Sequence, residues 1–354
     1  MRFGWLTLAH SAAPDDDFAG IEQQLEQACA AEHLGFDAVW LTEHNFTGES
    51  VYCDPIPFAA ALAMRTSKVR IGFAVIQMTL REPIRLATQL ALVDNLSRGR
   101  LDVGVGRGTI YNEYEYVGFG LRSDDARDRM AEGLDLLKQA WSMQPIDHQG
   151  RYFQVKLPQL RPRPYQRPHP PLWHSVVAPA SFAACGRAGV PIMTVRIPLQ
   201  AMRERMQLYA AGLEDSGRDA ARRRDLLGQA ALWRHVYVAT SRRQAEDELQ
   251  AMLAQTRHHM NHVRAAFNPP DFEVDPAFLT PWNDPRVPDA EAIGFSLASG
   301  TLYGTAADIA EQVAEIRAAG IQHILCQMSF GYLAHDKILA SMRLFGEQVM
   351  PAFR

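Results

Sequence analysis

Short apolar runs alternate along the chain with longer stretches whose apolar residues recur every three to four positions. The short runs predict strands at 3–9, 36–41, 69–78, 101–105, 172–177, 191–195, 232–239 and 323–328. The longer stretches predict helices at 21–33, 57–65, 83–96, 124–141, 179–188, 199–216, 243–264, 306–319 and 338–345. Gly35, Gly189 and Gly320 stand just past predicted helix ends, where a left-handed cap is expected. Eight strand–helix units predict an α/β fold closed as a (β/α)8 TIM barrel, one domain over residues 1–354. The alternative for the same alternation is an open doubly wound sheet.

Two stretches break the alternation. Residues 158–171 and 268–288 hold six prolines each, which excludes helix interior and central strand. The first reads as a surface connection. The second is a long insertion after strand seven, on the face where barrels keep their active sites. Residues 268–300 are expected to lack regular structure and to act as a lid, with Phe272, Phe278, Trp282 and Phe295 as apolar anchors.

Composition narrows the class. Of 354 residues, 47% are hydrophobic and 21% charged, which excludes a mostly disordered chain. The net charge of −4 provides no basic footprint for nucleic acid. No apolar run reaches the roughly 18 residues that span a bilayer, so no membrane is expected. The first residues read as a strand without a signal-peptide layout. Cys29, Cys53, Cys185 and Cys326 lie far apart with no CxxC, which suits a reducing cytoplasm.

In a barrel the reactive groups gather at the C-terminal strand ends. Those ends carry Leu8-Ala9-His10, Glu43-His44, the uncharged run from Ala74 to Met78, Gly106-Arg107-Gly108-Thr109, and Val176-Val177-Ala178 with Ser181 opening the next helix. The glycines allow close backbone approach, and an arginine fork matches phosphate oxygens. Free N–H groups around Ser181 would offer a second anion grip. His44 suits general-base work near neutral pH with Glu43 tuning its imidazole, or else a structural hydrogen-bonded pair. His258, His259 and His262 have a metal-compatible spacing but read as a solvated helix end, and no metal is expected.

Several segments then carry a family resemblance: MRFGWLTL, GFDAVWLTEHNF, IGFAVIQMTLREPIRLA, LVDNLSRGRLDVGVGRG, EYEYVGFG, GTAADIAEQVAEIRAAGI and SMRLFGEQVMP. The chain resembles the bacterial luciferase-like family of flavin-dependent monooxygenases over nearly its whole length. The resemblance implies reduced FMN as co-substrate, fed by a separate NAD(P)H-dependent flavin reductase. One oxygen atom of O2 would enter a small organic substrate by way of a flavin C4a-peroxide. Carried over residue by residue, His44 falls on the catalytic histidine and Glu43 on the acidic residue beside it. Arg107 falls on the flavin-phosphate arginine and Ala74-Val75 on a non-prolyl cis peptide under the ring. Thr109 and Ile110 fall on the phosphate and ribityl lining, and Val177, Ala178 and Ser181 on a further phosphate-side strip. A homodimer is implied, with residues 58–63 and Gln89, Leu92 and Val93 facing the mate.

The chain also departs from luciferase proper. Asn45 stands in place of a second histidine, Gly106 of a reactive cysteine and Val177 of a glutamate, which points away from light emission. The alternatives are an F420-dependent dehydrogenase on the same scaffold and a non-catalytic flavin-binding protein.

Overall fold

Eight parallel strands close into a barrel in this computed structural model, which describes residues 1–8 and 10–354 and all their side chains except that of Ala277. Ala9, the last residue of the first predicted strand, lies outside the described residues. The first strands are β1 (Arg2–Thr7), β2 (Ala38–Leu41), β3 (Arg70–Phe73) with its continuation β4 (Ile76–Gln77), and β5 (Leu101–Gly106). β6 (Ile146–Gln149) and β7 (Gln154–Leu157) form an antiparallel hairpin outside the barrel. β8 (Leu172–Ser175), β9 (Ile192–Thr194), β10 (Ala231–Val238), β11 (Thr301–Gly304) and β12 (His323–Ser329) complete the set. The ring runs β1, β2, β3, β5, β8, β9, β10, β12 and back to β1.

Around it lie α1 (Asp17–His33), α2 (Pro55–Arg65), α3 (Pro83–Leu96), α4 (Glu113–Gly118), α5 (Ala126–Trp141) and α6 (Pro179–Ala188). They are followed by α7 (Leu199–Glu214), α8 (Ala220–Gln229), α9 (Arg242–Phe267), α10 (Asp289–Gly300), α11 (Ala306–Ala318) and α12 (His335–Leu344). Caps match the ends: Asp54 accepts from Ile56 N at 3.0 Å, and Thr305 with Asp308 forms a full capping box.

The inside of the barrel is a packed layer of Leu6, Trp40, Trp173, Met193, Ala231 and Leu325. A Cβ at Gly4 or Gly72 would meet the Trp40 indole, so these strands are glycine where the ring fills the axis. Ala74, Val75 and Trp233 rest on this layer and floor the mouth. The predicted third strand is divided at the Ala74–Val75 peptide, which is cis.

The structure adds elements the pattern missed. β11 has only four residues and pairs with the far half of β10, while β12 takes the near half. Such a short strand, ending directly at a helix cap, leaves little periodic signal. The connection at 158–171 is held to the barrel's flank, where Gln166 donates from N and Nε2 to the two carboxylate oxygens of buried Asp94, each at 2.8 Å.

Three expectations are corrected. Residues 289–300 form α10, a regular helix, because prolines stop at Pro288 and a face carrying Ala292, Ser296 and Leu297 packs inward. Of the residues expected to face a mate, Phe58, Ala59, Leu62, Ala63 and Val93 are buried in the protein's own core, whereas Ala61 and Leu92 are exposed and Ala60 and Gln89 half-buried; Met64, Leu92 and Leu96 are the exposed large apolar residues of α2 and α3. His258, His259 and His262 lie inside the 26-residue α9 rather than at its end, with His258 and His262 exposed as expected and His259 half-buried. At 1.5 Å per residue this helix is about 39 Å long, and it crosses the barrel mouth. Leu253 packs with Phe330 after β12, His259 Nε2 donates to Thr47 O after β2 (3.1 Å), and Arg264 donates to Asn112 Oδ1 after β5 (2.9 Å).

Candidate active site

β2 ends in consecutive residues that point to opposite sides, as strand geometry requires. Glu43 turns outward: Oε2 accepts from Gln77 N at 2.9 Å and Oε1 from Arg81 Nη2 at 2.5 Å, while Arg81 Nη1 reaches Asp54 at 3.0 Å. His44 turns to the mouth, and its partner is Glu115, not Glu43. Nδ1 lies 3.1 Å from Glu115 Oε1 and 3.8 Å from Glu49 Oε2. Glu115 is fully buried and also accepts from Gln77 Nε2 at 2.6 Å, Asn112 Nδ2 at 2.7 Å, and Asn45 N and Nδ2 at 3.3 Å each.

A carboxylate so surrounded by donors stays ionised, and its pKa lies below the ordinary glutamate value despite burial. Burial alone would lower the His44 pKa, but Glu49 and Glu115 outweigh it and raise it to about 9. At neutral pH the pair is therefore imidazolium and carboxylate. With Nδ1 held by Glu115, Nε2 is the ring nitrogen left without a partner among the described residues, and it carries a proton to give. The expected general base rests as an acid.

Two strand ends further round the ring, Arg107 follows β5. Its carbonyl is gripped by the Thr79 hydroxyl and, at 2.8 Å, by Tyr116 Oη. Gly108 then turns at φ +109, where a Cβ would meet Tyr116 and Gln77. The Arg107 guanidinium has no carboxylate within ion-pair distance among the described residues. With Ile110, Arg122 and Phe272, and with the carboxylates of Asp124, Asp271 and Glu273 further along the wall, it lines a cavity of about 400 Å³. Thr109 is half-buried beside it, its carbonyl accepting from Asn112 N at 3.2 Å.

Neighbouring β8 leads to an exposed strip at Val177 and Ala178 and to α6, whose cap residue Ala178 supplies no side-chain acceptor. Of the N–H groups expected around Ser181, its own is donated to Ala178 O at 2.9 Å, and Pro179 has none. Among the described residues, the backbone donors left at this helix start are those of Ala178, Ala180 and Phe182.

Residues 1–323 match the family described as luciferase-like monooxygenase. The chain belongs to that family. Among relatives of this luciferase-like chain, the oxygenase component of the flavin-dependent trigonelline monooxygenase of Acinetobacter baylyi is 25% identical over 341 residues, 94% of this chain and 89% of the relative. The uncharacterized protein y4vJ of Sinorhizobium fredii is 34% identical over 169 residues, and this match spans only 48% of each chain. The crystal structure of monooxygenase RslO1 from Streptomyces bottropensis superposes with a TM-score of 0.81 at 26% identity, covering 100% of both chains.

Within this luciferase-like barrel, His44, Ala74–Val75, Arg107 and Ser181 stand at the ends of β2, β3, β5 and β8, four consecutive strands of the ring. Sequence reasoning did not assign Glu115. It lies on a six-residue helix, and only the Glu-Tyr-Glu-Tyr spacing beside the Arg107 turn hinted at it. Among the described residues no three metal-ligating side chains converge; His258 and His262 stack on each other at 6.5 Å between ring centroids. Among the described residues no helix is long and apolar enough to cross a membrane, and Cys29, Cys53, Cys185 and Cys326 are free thiols.

Proposed function

We propose that this protein is an FMN-dependent monooxygenase using reduced flavin delivered by a separate NAD(P)H-dependent reductase. The observation that carries this reading is the order of three neighbouring strand ends: the His44–Glu115 pair, the Ala74–Val75 step, and an arginine fork with no carboxylate partner. The residues present fit FMN. Arg107, with the Ala178 and Ala180 N–H groups and Ser181, would hold the phosphate; a charge-assisted fork beside a helix start suits a dianion. Thr109, Ile110 and Val177 would line the ribityl chain, and Ala74 and Val75 would lie under the ring. Glu43 contributes indirectly, by locking Gln77 behind that step.

When bound, reduced FMN supplies the two electrons by which one oxygen atom of O2 enters the organic substrate and the other leaves as water. The chain's own work is to exclude water and to manage a proton. Apolar Ala74, Val75 and Trp233 floor the site, and α9 with residues 268–288 roofs it. The imidazolium of His44 would donate from Nε2 to the developing oxyanion, and Glu115 would stabilise the charge and fix the ring. A homodimer through Met64 of α2 and Leu92 and Leu96 of α3 accords with their exposure.

Anaerobic titration with reduced FMN and with reduced F420, followed by oxygen admission and product analysis over a substrate panel, tests the reading. Tight binding of reduced FMN with oxygen-dependent product is expected. Preference for F420 with oxygen-independent hydride transfer would establish the dehydrogenase alternative, and binding without turnover the non-catalytic one.

A further inference from the structure

The half of the mouth opposite His44 holds a second arginine that the flavin reading leaves unused. Arg196 follows β9, which stands four strands from β2 in either direction around the ring. Along β10, Ala231 faces the barrel interior, so Trp233 and His235 face it too. Arg196 swings toward these two residues, away from β8 and its helix start. Its guanidinium carbon lies 4.7 Å from the Trp233 ring centroid and 5.7 Å from that of Trp282. Nη1 donates to His235 Nε2 at 2.7 Å, which requires the neutral ring with its proton on Nδ1. His235 is stacked on Phe330 at 4.8 Å, and Trp233 Nε1 donates to Gln327 Oε1 at 3.0 Å.

Two aromatic faces and a neutral histidine orient the fork, yet none of them neutralises it. Among the described residues no carboxylate comes within ion-pair distance of Arg196. Arg196 is half-buried, and its guanidinium nitrogens not bonded to His235 are not sealed in protein either. Burial lowers the Arg196 pKa to about 10, and Glu49 opposes this only from a distance. The neighbouring Arg234 cannot share the task, because it donates outward to Ile197 O (2.8 Å) and Trp233 O (3.1 Å). An oriented, half-buried guanidinium without a counter-ion is completed by an anion, and a planar fork with parallel N–H groups matches a carboxylate best.

We propose that Arg196 is the specificity residue for a carboxylate on the organic substrate, held against the Trp233–Trp282–Phe330 wall with its oxidised end toward His44. The assignment of the bound molecule as substrate rests on the monooxygenase reading; the anion site does not. A planar ring is the expected scaffold, since half-buried Trp233 offers flat aromatic surface beside the fork.

Calorimetry on the full-length protein with benzoate, benzamide and phenyl phosphate tests it, with FMN affinity measured alongside. Benzoate should bind about tenfold or more tighter than benzamide, the usual worth of a hydrogen bond to a charged group. Arg196→Gln should bring the two within about twofold while FMN affinity is unchanged; Arg196→Lys, which keeps the charge but not the fork, should retain part of the preference. No binding of benzoate, a preference that survives in Arg196→Gln, or tighter binding of phenyl phosphate would each overturn the proposal. Weakened FMN binding in Arg196→Gln would make Arg196 a flavin residue instead. Failure of the wild-type chain to bind FMN, with the benzoate preference intact, would strike the flavin reading alone.

Discussion

Glu115 Oε1 lies 3.1 Å from His44 Nδ1 although 71 positions separate them in the chain. One comes from the end of β2 and the other from the short helix α4 beyond the Arg107 turn. Their contact leaves Nε2 of the imidazole as the group that meets the reaction, with a carboxylate behind it. This carboxylate–histidine arrangement makes His44 a charged donor at neutral pH and sets its titration well into the alkaline range.

The pair makes stability depend on pH in a defined direction. The His44 pKa is raised from 6.5 to about 9, so its contribution is fully present below 6.5 and lost as pH rises through 9. Glu115→Gln should therefore lower the melting temperature most near pH 6, with the gap to wild type closing toward pH 9 and above. A gap of constant size across that range would show that Glu115 acts by packing alone.

Removing the imidazole separates chemistry from binding. His44→Ala should bind FMN nearly as wild type does, yet form product about 10²–10⁴-fold more slowly. Single-turnover measurement with prereduced flavin reads this directly. Product formation at the parental rate would make His44 a structural residue.

Among the described residues, the Arg107 side chain makes no hydrogen bond or ion pair that its loss would orphan. Arg107→Ala should weaken FMN binding by about 10–100-fold, the range for a charged hydrogen-bonded contact, with little change in thermal unfolding. Equal FMN affinity in the two proteins would remove the phosphate assignment.

Closure of the mouth is expected to run through Arg257. This guanidinium is 1% exposed, donates from Nη2 to the carbonyls of Asp284 (2.8 Å) and Val287 (2.6 Å), and lies 3.3 Å from Asp289. Arg257→Met should speed amide exchange across residues 284–289. In the wild-type chain, FMN with substrate should increase protection over residues 277–290; unchanged exchange there would mark the segment as a static connection.

Assembly offers a further check. Met64 is 70% exposed and Leu92 51% exposed, on adjacent helices α2 and α3. Light scattering at micromolar concentration should give a dimer mass, and Leu92→Glu should shift it toward monomer. A monomer mass for the wild-type protein would reject the interface.

The alternation of apolar runs by itself determined the barrel, because strand and helix periods are local properties that eight repeats reinforce. It also determined that His44, Arg107 and Ser181 share one face, since each directly follows a strand and parallel strands end together. Tertiary structure alone decided which group His44 answers to. Its neighbour Glu43 points the other way, toward Arg81, while Glu115 arrives from a helix too short to leave a periodic trace. Arg196 was silent for a related reason: an arginine after a strand reads as a solvated charge until the fold lays it on Trp233 and Trp282 with no carboxylate in reach. The residues that flank a side chain in sequence fix where its backbone lies, but the charges that meet it, and so its chemistry, come from chain segments brought together only by closing the barrel.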